Sequence, residues 1–303
     1  MFRIGVLFLH PIVILLGYFA AVLFTGSLFA YPIHLLDFSF GLNLGYEKVL
    51  SRSIVLASVL LLWPVIRYLG ISLEALGLTP WRSSSIWRGV LVGAVAVVPV
   101  AILIFALEIR VLDPRISISL GDVVSLALVG AVAGLAVGFI EELIFRGLVF
   151  SLLRRWTHVV GAAVLTSLLY ALVHFLKVPE KFIVAEAGWL TGFDYLSHAL
   201  VALAGPDEYW DSFVALFLLG LALNWVRVHG NLYWCVGIHA GFVMVIHVTK
   251  ALSVRSVVNP YQGLVGSYDH FTGHLVSLWL VILAVAVAVW FLRRRRVAAA
   301  TAA

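Results

Sequence analysis

The feature that most constrains this chain is a succession of apolar stretches, each about as long as the roughly 20 residues a helix needs to cross a bilayer. Eight such stretches lie at about 4–28, 50–70, 88–108, 122–153, 158–176, 211–227, 232–252 and 273–292. The fourth is too long to lie wholly in hydrocarbon, so its tail with Arg154 and Arg155 is expected to project into water. With 63% hydrophobic and 12% charged residues, the composition lies far from that of a soluble domain, which is about 45–50% apolar and about 25% charged. The expected fold is all-α: a polytopic membrane bundle of about eight transmembrane helices. No long polar linker divides it. Residues 1–119 read as N-terminal spans with an interfacial segment at 71–88, residues 120–252 as the core, and residues 253–303 as a last span with a basic tail.

The net charge of +5 is no nucleic-acid signature, because four of the basic residues form the run Arg293 to Arg296 at a membrane edge. Basic residues set orientation, and that run tips the balance toward both termini being cytoplasmic, in a cytoplasmic (inner) membrane. The first apolar stretch is long and lacks a small-residue cleavage site, so it reads as a span rather than a cleaved signal. The single cysteine, Cys235, allows no internal disulfide and reads as a small buried hydrophobe. Residues 177–211 form the longest expected loop, aromatic and acidic toward its end, and suited to cover or select a substrate.

Within the apolar background, "GFIEELIFRG" at 138–147 places Glu141, Glu142 and Arg146 at membrane depth. Ionisable residues there are costly and usually face a protein interior. Glu142 and Arg146 are four apart and can pair on one helix face. Glu141 points about 100° away and has Phe145 rather than a cation one turn on. An unpaired carboxylate in a low-dielectric site suits general-base work, while a purely structural Glu–Arg network is the alternative on this segment alone.

The next apolar stretch carries His174, with Tyr170 one turn before it. Counted from the turn at 156–158, Glu141 and His174 both lie about 22–27 Å along their helices, so they face each other at similar depth. Core packing is the expected role of Tyr170, with the same cavity within its reach. His239, in "GNLYWCVGIHAGFVMVIHV", is about 12–14 Å from the turn near Gly230, and His247 lies two turns further on the same face. One carboxylate and two imidazoles suggest hydrolysis: Glu141 takes a proton from water, His174 orients that water, and His239 stabilises the oxyanion. The same three residues, Glu141, His174 and His239, could also hold a divalent metal such as zinc, although no local metal motif announces one.

These motifs resemble those of the CPBP family, the CAAX-protease and bacteriocin-processing membrane proteins. The family's Glu-Glu-x-x-x-Arg stands here as Glu141, Glu142 and Arg146, and its Phe-x-x-x-His as Tyr170 and His174 with Tyr in place of Phe. Its His-x-x-x-Asn begins at His239. The segments "ISLEALGL" and "RVHGNLYWCVGIHAG" are similar to the flanks of its core, and the resemblance covers about 120–250 and more weakly 71–108. It implies an intramembrane endopeptidase that cuts a membrane-embedded or lipid-anchored protein, near its C-terminus, with Glu141 and His174 activating water and His239 in the oxyanion hole. One departure stands out. The Asn position is Val243, which cannot donate a hydrogen bond. Asn224 and His247 are candidate substitute donors, and a catalytically impaired scaffold, immunity or sensor protein is the alternative reading.

Overall fold

A computed structural model describes residues 10–42, 44–176, 186–205 and 209–301, and the chain is an integral membrane protein built as a helical bundle. Six described helices are long and apolar enough to cross a bilayer, and Val159–His174 and His274–Trp290 are shorter apolar helices. In chain order the elements are α1 (Pro11–Ser39), α2 (Tyr46–Leu69), α3 (Leu73–Leu76), α4 (Ser83–Ala106), β1 (Arg110–Leu112) and α5 (Leu120–Glu142). A π-helical segment (Leu143–Val149), α6 (Phe150–Arg154), α7 (Val159–His174), α8 (Thr191–Leu203), α9 (Trp210–His229) and α10 (Leu232–Ala251) follow. The chain ends with β2 (Ser253–Arg255), a 3-10 turn (Gln262–Leu264) and α11 (His274–Thr301).

Helix ends are fixed by local chemistry. Ser119 and Asp122 form a reciprocal capping box at the start of α5: Ser119 Oγ accepts from the Asp122 amide at 3.2 Å, and the Asp122 carboxylate accepts from the Ser119 amide at 2.9 Å. The Asn231 side chain caps α10 by accepting from Trp234 N at 3.1 Å. The expected interfacial stretch at 71–88 holds the single turn α3, ended by Gly77 at φ +83°, before α4 begins at Ser83.

Three boundaries differ from the sequence reading. The first helix runs on to Ser39 through Pro32, because its end is held by packing rather than by hydropathy. His34 lies edge-on to Tyr46 at 5.2 Å, and the Asp37 carboxylate accepts from the Leu44 amide at 2.9 Å. Residues 4–9 of the expected first span lie outside the described residues. The expected loop 177–211 contains a helix, α8, whose Thr191, Gly192, Tyr195 and Ala199 are buried at helical spacing, with Gly192 against the Ser27 backbone. Residues 177–185 and 206–208 of that loop lie outside the described residues. A two-stranded antiparallel ribbon joins the ends of α4 and α10, pairing Arg110 with Arg255 and Leu112 with Ser253.

The bundle is centred on α10, which packs between α4 and α5. Small residues make both contacts. Along α5, Gly130, Gly134 and Gly138 recur every fourth residue, and a Cβ on Gly134 would sit 2.9 Å from Ala240 Cα. On the other side, a Cβ on Gly237 would sit 2.8 Å from Gly89 Cα. Lipid tails are as apolar as leucine, so such helices associate through close backbone packing, and small residues every fourth position permit it. Gly237→Val is therefore expected to lower stability by about 2–3 kcal/mol through overpacking. Unfolding of the purified variant in mixed detergent would show it, and a wild-type profile would count against this packing.

Candidate active site

Glu141 and Glu142 are the last two residues of α5, and the chain then widens into the π-helical segment that carries Arg146. Such wide turns are rare inside helices and gather at functional sites. This one is braced from outside: Arg227 of α9 donates through Nε to the Arg146 carbonyl at 3.3 Å and through Nη2 to the Ala75 carbonyl at 2.9 Å. Ser151 Oγ donates to the same Ala75 carbonyl at 2.7 Å, so α3 docks against the segment.

The two glutamates have different surroundings. Glu142 and Arg146 are fully buried and paired, with Nη1 3.1 Å from Oε1. Arg146 also donates to the Gly220 carbonyl at 3.3 Å, and its guanidinium lies 4.4 Å over the Tyr170 ring. The same Glu142 oxygen lies 3.0 Å from His239 Nδ1. The neighbouring carboxylate oxygens of Glu141, by contrast, belong to a side chain that is 26% exposed. Glu142 is thus held in an ion-paired network, whereas Glu141 Oε2 is buried with no hydrogen-bond partner.

Hydrogen-bond inventory fixes the histidine tautomers. A carboxylate and a carbonyl only accept, so a ring nitrogen bonded to one must carry the proton. His239 therefore donates from Nδ1 to Glu142, and His174 donates from Nδ1 to the Tyr170 carbonyl at 2.7 Å. Both rings turn Nε2 toward Glu141 Oε2, at 3.6 Å for His174 and 3.9 Å for His239. Glu141, His174 and His239 come together from α5, α7 and α10.

Tyr170 is buried and serves the cluster through its carbonyl as well as its ring, which stands edge-on to His174 at 4.5 Å and to Phe145 at 5.2 Å. Asn224 lies elsewhere. Fully buried, its amide donates to the Ala163 carbonyl, Ser167 Oγ and the Gly220 carbonyl at 3.0–3.2 Å, tying α9 to α7. His247 is two turns beyond His239, about 12 Å along the helix, beside Gly130 in the seam between α5 and α10. Val243 stands in that same seam, against Gly134. Cys235 is buried with Sγ 3.3 Å from the Leu223 carbonyl.

Two contributors were missed in the sequence. Gly138 faces the His239 ring, where a Cβ would sit 3.2 Å from Cγ; its place in the four-residue glycine repeat was a readable signal. The Gly220 carbonyl, which accepts from Arg146, carries no local signal at all. As for metals, imidazole nitrogens and a carboxylate are donors that zinc accepts. Among the described residues no three His, Cys, Asp or Glu side chains stand at metal-site spacing.

No curated protein and no solved structure matches this chain. A family model does match: type II CAAX prenyl endopeptidase Rce1-like, over residues 123–245, a segment that runs from α5 to α10 and contains Glu141, Glu142, Arg146, His174 and His239. Over that segment the chain is similar to the Rce1-like, CAAX-type intramembrane proteases of the CPBP family.

Proposed function

We propose that this protein is an endopeptidase that hydrolyses a peptide bond near the C-terminus of a membrane-embedded or lipid-anchored protein, with water activated by Glu141. The observation that carries this reading is the convergence of two Nε2 atoms on Glu141 Oε2, at 3.6 and 3.9 Å, while Glu142 Oε1 is engaged by both Arg146 and His239. With Nδ1 of each neutral ring protonated, three acceptors surround one small volume. A water there donates to Glu141 and to His174, which directs its lone pair at the substrate carbonyl.

As the water oxygen bonds to the carbonyl carbon, its proton passes to Glu141 and the carbonyl electrons move to oxygen. When the C–N bond breaks, the leaving nitrogen takes that proton. His239 can donate to the oxyanion only from a ring protonated on both nitrogens, and Glu142 at its Nδ1 is the counter-charge for that form.

The substrate class, a prenylated or otherwise lipid-anchored C-terminus, follows the name of the matched family. Arg67, Arg82, Arg154, Arg155 and Arg227 stand where α2 ends, α4 begins, α6 ends and α9 ends, all at one end of the bundle. That supports a cytoplasmic membrane with this end and both termini in the cytoplasm. Val243 favours a second reading, a non-catalytic membrane partner that keeps the fold. Protein C-termini in host membranes decide between them. Comparing wild type with Glu141→Gln at equal expression, a defined set of C-termini is expected to change from cleaved to uncleaved. An unchanged set would leave the partner reading standing.

A further inference from the structure

The end of the bundle opposite Arg67, Arg82, Arg154, Arg155 and Arg227 carries a charged cluster of its own. The ribbon of β1 and β2 sets Arg110 directly opposite Arg255 there, and like charges so placed repel. Arg110 is only 7% exposed. It donates from Nε to Ser253 Oγ at 2.8 Å, and from Nη2 to the carbonyls of Ser253 at 2.8 Å and Lys250 at 3.5 Å, all neutral acceptors. Its Nη1 has no partner among the described residues. Arg255 Nη1 lies 2.9 Å from His270 Nε2; arginine only donates, so Nε2 accepts and the ring proton sits on Nδ1, a further donor. Lys250 pairs with Asp269 Oδ2 at 3.1 Å, while Asp269 Oδ1 accepts from the amides of Phe271 and Thr272 and from Thr272 Oγ1 at 2.7–3.0 Å. Asp113 is paired with Arg115 at 2.7 Å, and Glu108 forms no ion pair among the described residues. Arg110, Lys250 and Arg255 thus stand against one carboxylate, Asp269, which is already engaged.

Next to this cluster, α4, α10 and α11 leave an apolar cleft. Val97 and Val100 of α4, Phe242 of α10 and Trp279 of α11 wall it. Phe271 and Thr272 line it too, and Thr272 is bonded to Asp269, so the cleft reaches the charged cluster. Val97 and Phe242 stand nine residues inside the ends of α4 and α10, about 14 Å along each helix, so the cleft runs within the apolar length of the spans. The Trp279 N–H is engaged by the Ala96 carbonyl at 2.6 Å.

We propose that cluster and cleft are one binding site for an anionic phospholipid, its phosphate on Arg110, Arg255 and His270 and an acyl chain between α4 and α11. The inference does not depend on the hydrolytic reading. A phosphate supplies what the cluster lacks: negative charge between two opposed guanidinium groups, and acceptor oxygens for Arg110 Nη1 and His270 Nδ1. Basic pockets beside membrane spans hold lipid head groups in this way. Hydrocarbon supplies what the cleft lacks, since an apolar cavity does not hold water. A free phosphate would meet only the first need and an uncharged lipid only the second. Val257 and Val258, almost fully exposed and close to Arg255 in the chain, set an apolar patch in the same loop, as a segment that rests on a membrane does.

The test uses the full-length protein in detergent, titrated with dioleoyl phosphatidylglycerol and, separately, with dioleoyl phosphatidylcholine, bound lipid being read by native mass spectrometry. The wild type is expected to hold phosphatidylglycerol about tenfold more tightly than phosphatidylcholine, and Arg255→Gln to abolish that preference, as the loss of one charge-assisted contact would. Arg255 is exposed, so its replacement leaves the packing in place. Ala96→Phe fills the cleft without touching a charge and is expected to weaken both lipids by about tenfold. Equal affinity of the wild type for the two lipids, or a preference that survives in Arg255→Gln, overturns the proposal. Unchanged lipid binding in a folded Ala96→Phe overturns it as well, because the acyl chain would then lie elsewhere; the Arg255→Gln comparison decides alone if that variant does not fold. Glycerol phosphate that displaces phosphatidylglycerol mole for mole would make the ligand a soluble anion and overturn the lipid assignment.

Discussion

Glu141→Gln is expected to cut turnover by about 10³-fold or more while leaving the fold intact, since a positioned general base contributes roughly 10²–10⁴-fold. The glutamine keeps the shape and one acceptor oxygen, so it can still hold a water beside His174; what it loses is the ability to take the water's proton. Stability should barely change, because Glu141 is 26% exposed and lies 3.6 Å or more from the histidines rather than in a close ion pair. The measurement is the single-turnover rate of purified wild type and variant on the same substrate, with thermal unfolding recorded for both. A variant that folds and cuts at the wild-type rate would make Glu141 a packing residue, and the Val243 departure would then become the leading clue to function.

The separation of roles between the two glutamates was partly visible in the sequence. Arg146 stands four residues after Glu142, and nothing cationic stands four after Glu141. Helical spacing alone assigned the pair, and the ion pair is there although this stretch is π-helical rather than α-helical. The π-helical geometry itself was not legible, because its bracing contacts come from Arg227 and α3, which only the folded bundle brings near. Apolar runs announced the spans because hydropathy is a local property. The end of α1 was misjudged for the converse reason: its last turns are held by Tyr46 and the Leu44 amide, which only the folded bundle brings near. Counting residues along helices brought His174 level with Glu141 but left His239 about 10 Å shallower, so the convergence of His239 was not legible. The contact of the Tyr268 ring with Phe175 was not legible either, since a loop's path depends on tertiary anchors such as Asp269 with Lys250.

Arg146→Met should produce the largest loss of stability. Removing one partner of a buried ion pair leaves an uncompensated charge and typically costs about 3–5 kcal/mol. Here Glu142 and Arg146 are both 0% exposed, so water cannot replace the guanidinium. The loss extends past the pair, because Arg146 also holds the Gly220 carbonyl and stacks on Tyr170, whose carbonyl orients His174. Only His239 would remain to neutralise Glu142, so its ring would be drawn from the cavity into a structural ion pair. A second substitution separates charge from packing. In Arg146→Met with Glu142→Gln the buried charge is gone, and about half or more of the lost stability should return, since an apolar or neutral replacement of a whole buried pair is often tolerated. Activity should not return with it, because the counter-charge for a doubly protonated His239 has been removed as well. Detergent unfolding midpoints for wild type, Arg146→Met and the double variant give the first half of this result, and turnover gives the second. A double variant no more stable than Arg146→Met would mean that the arginine acts through packing on Tyr170 and Gly220, not through the charge of Glu142.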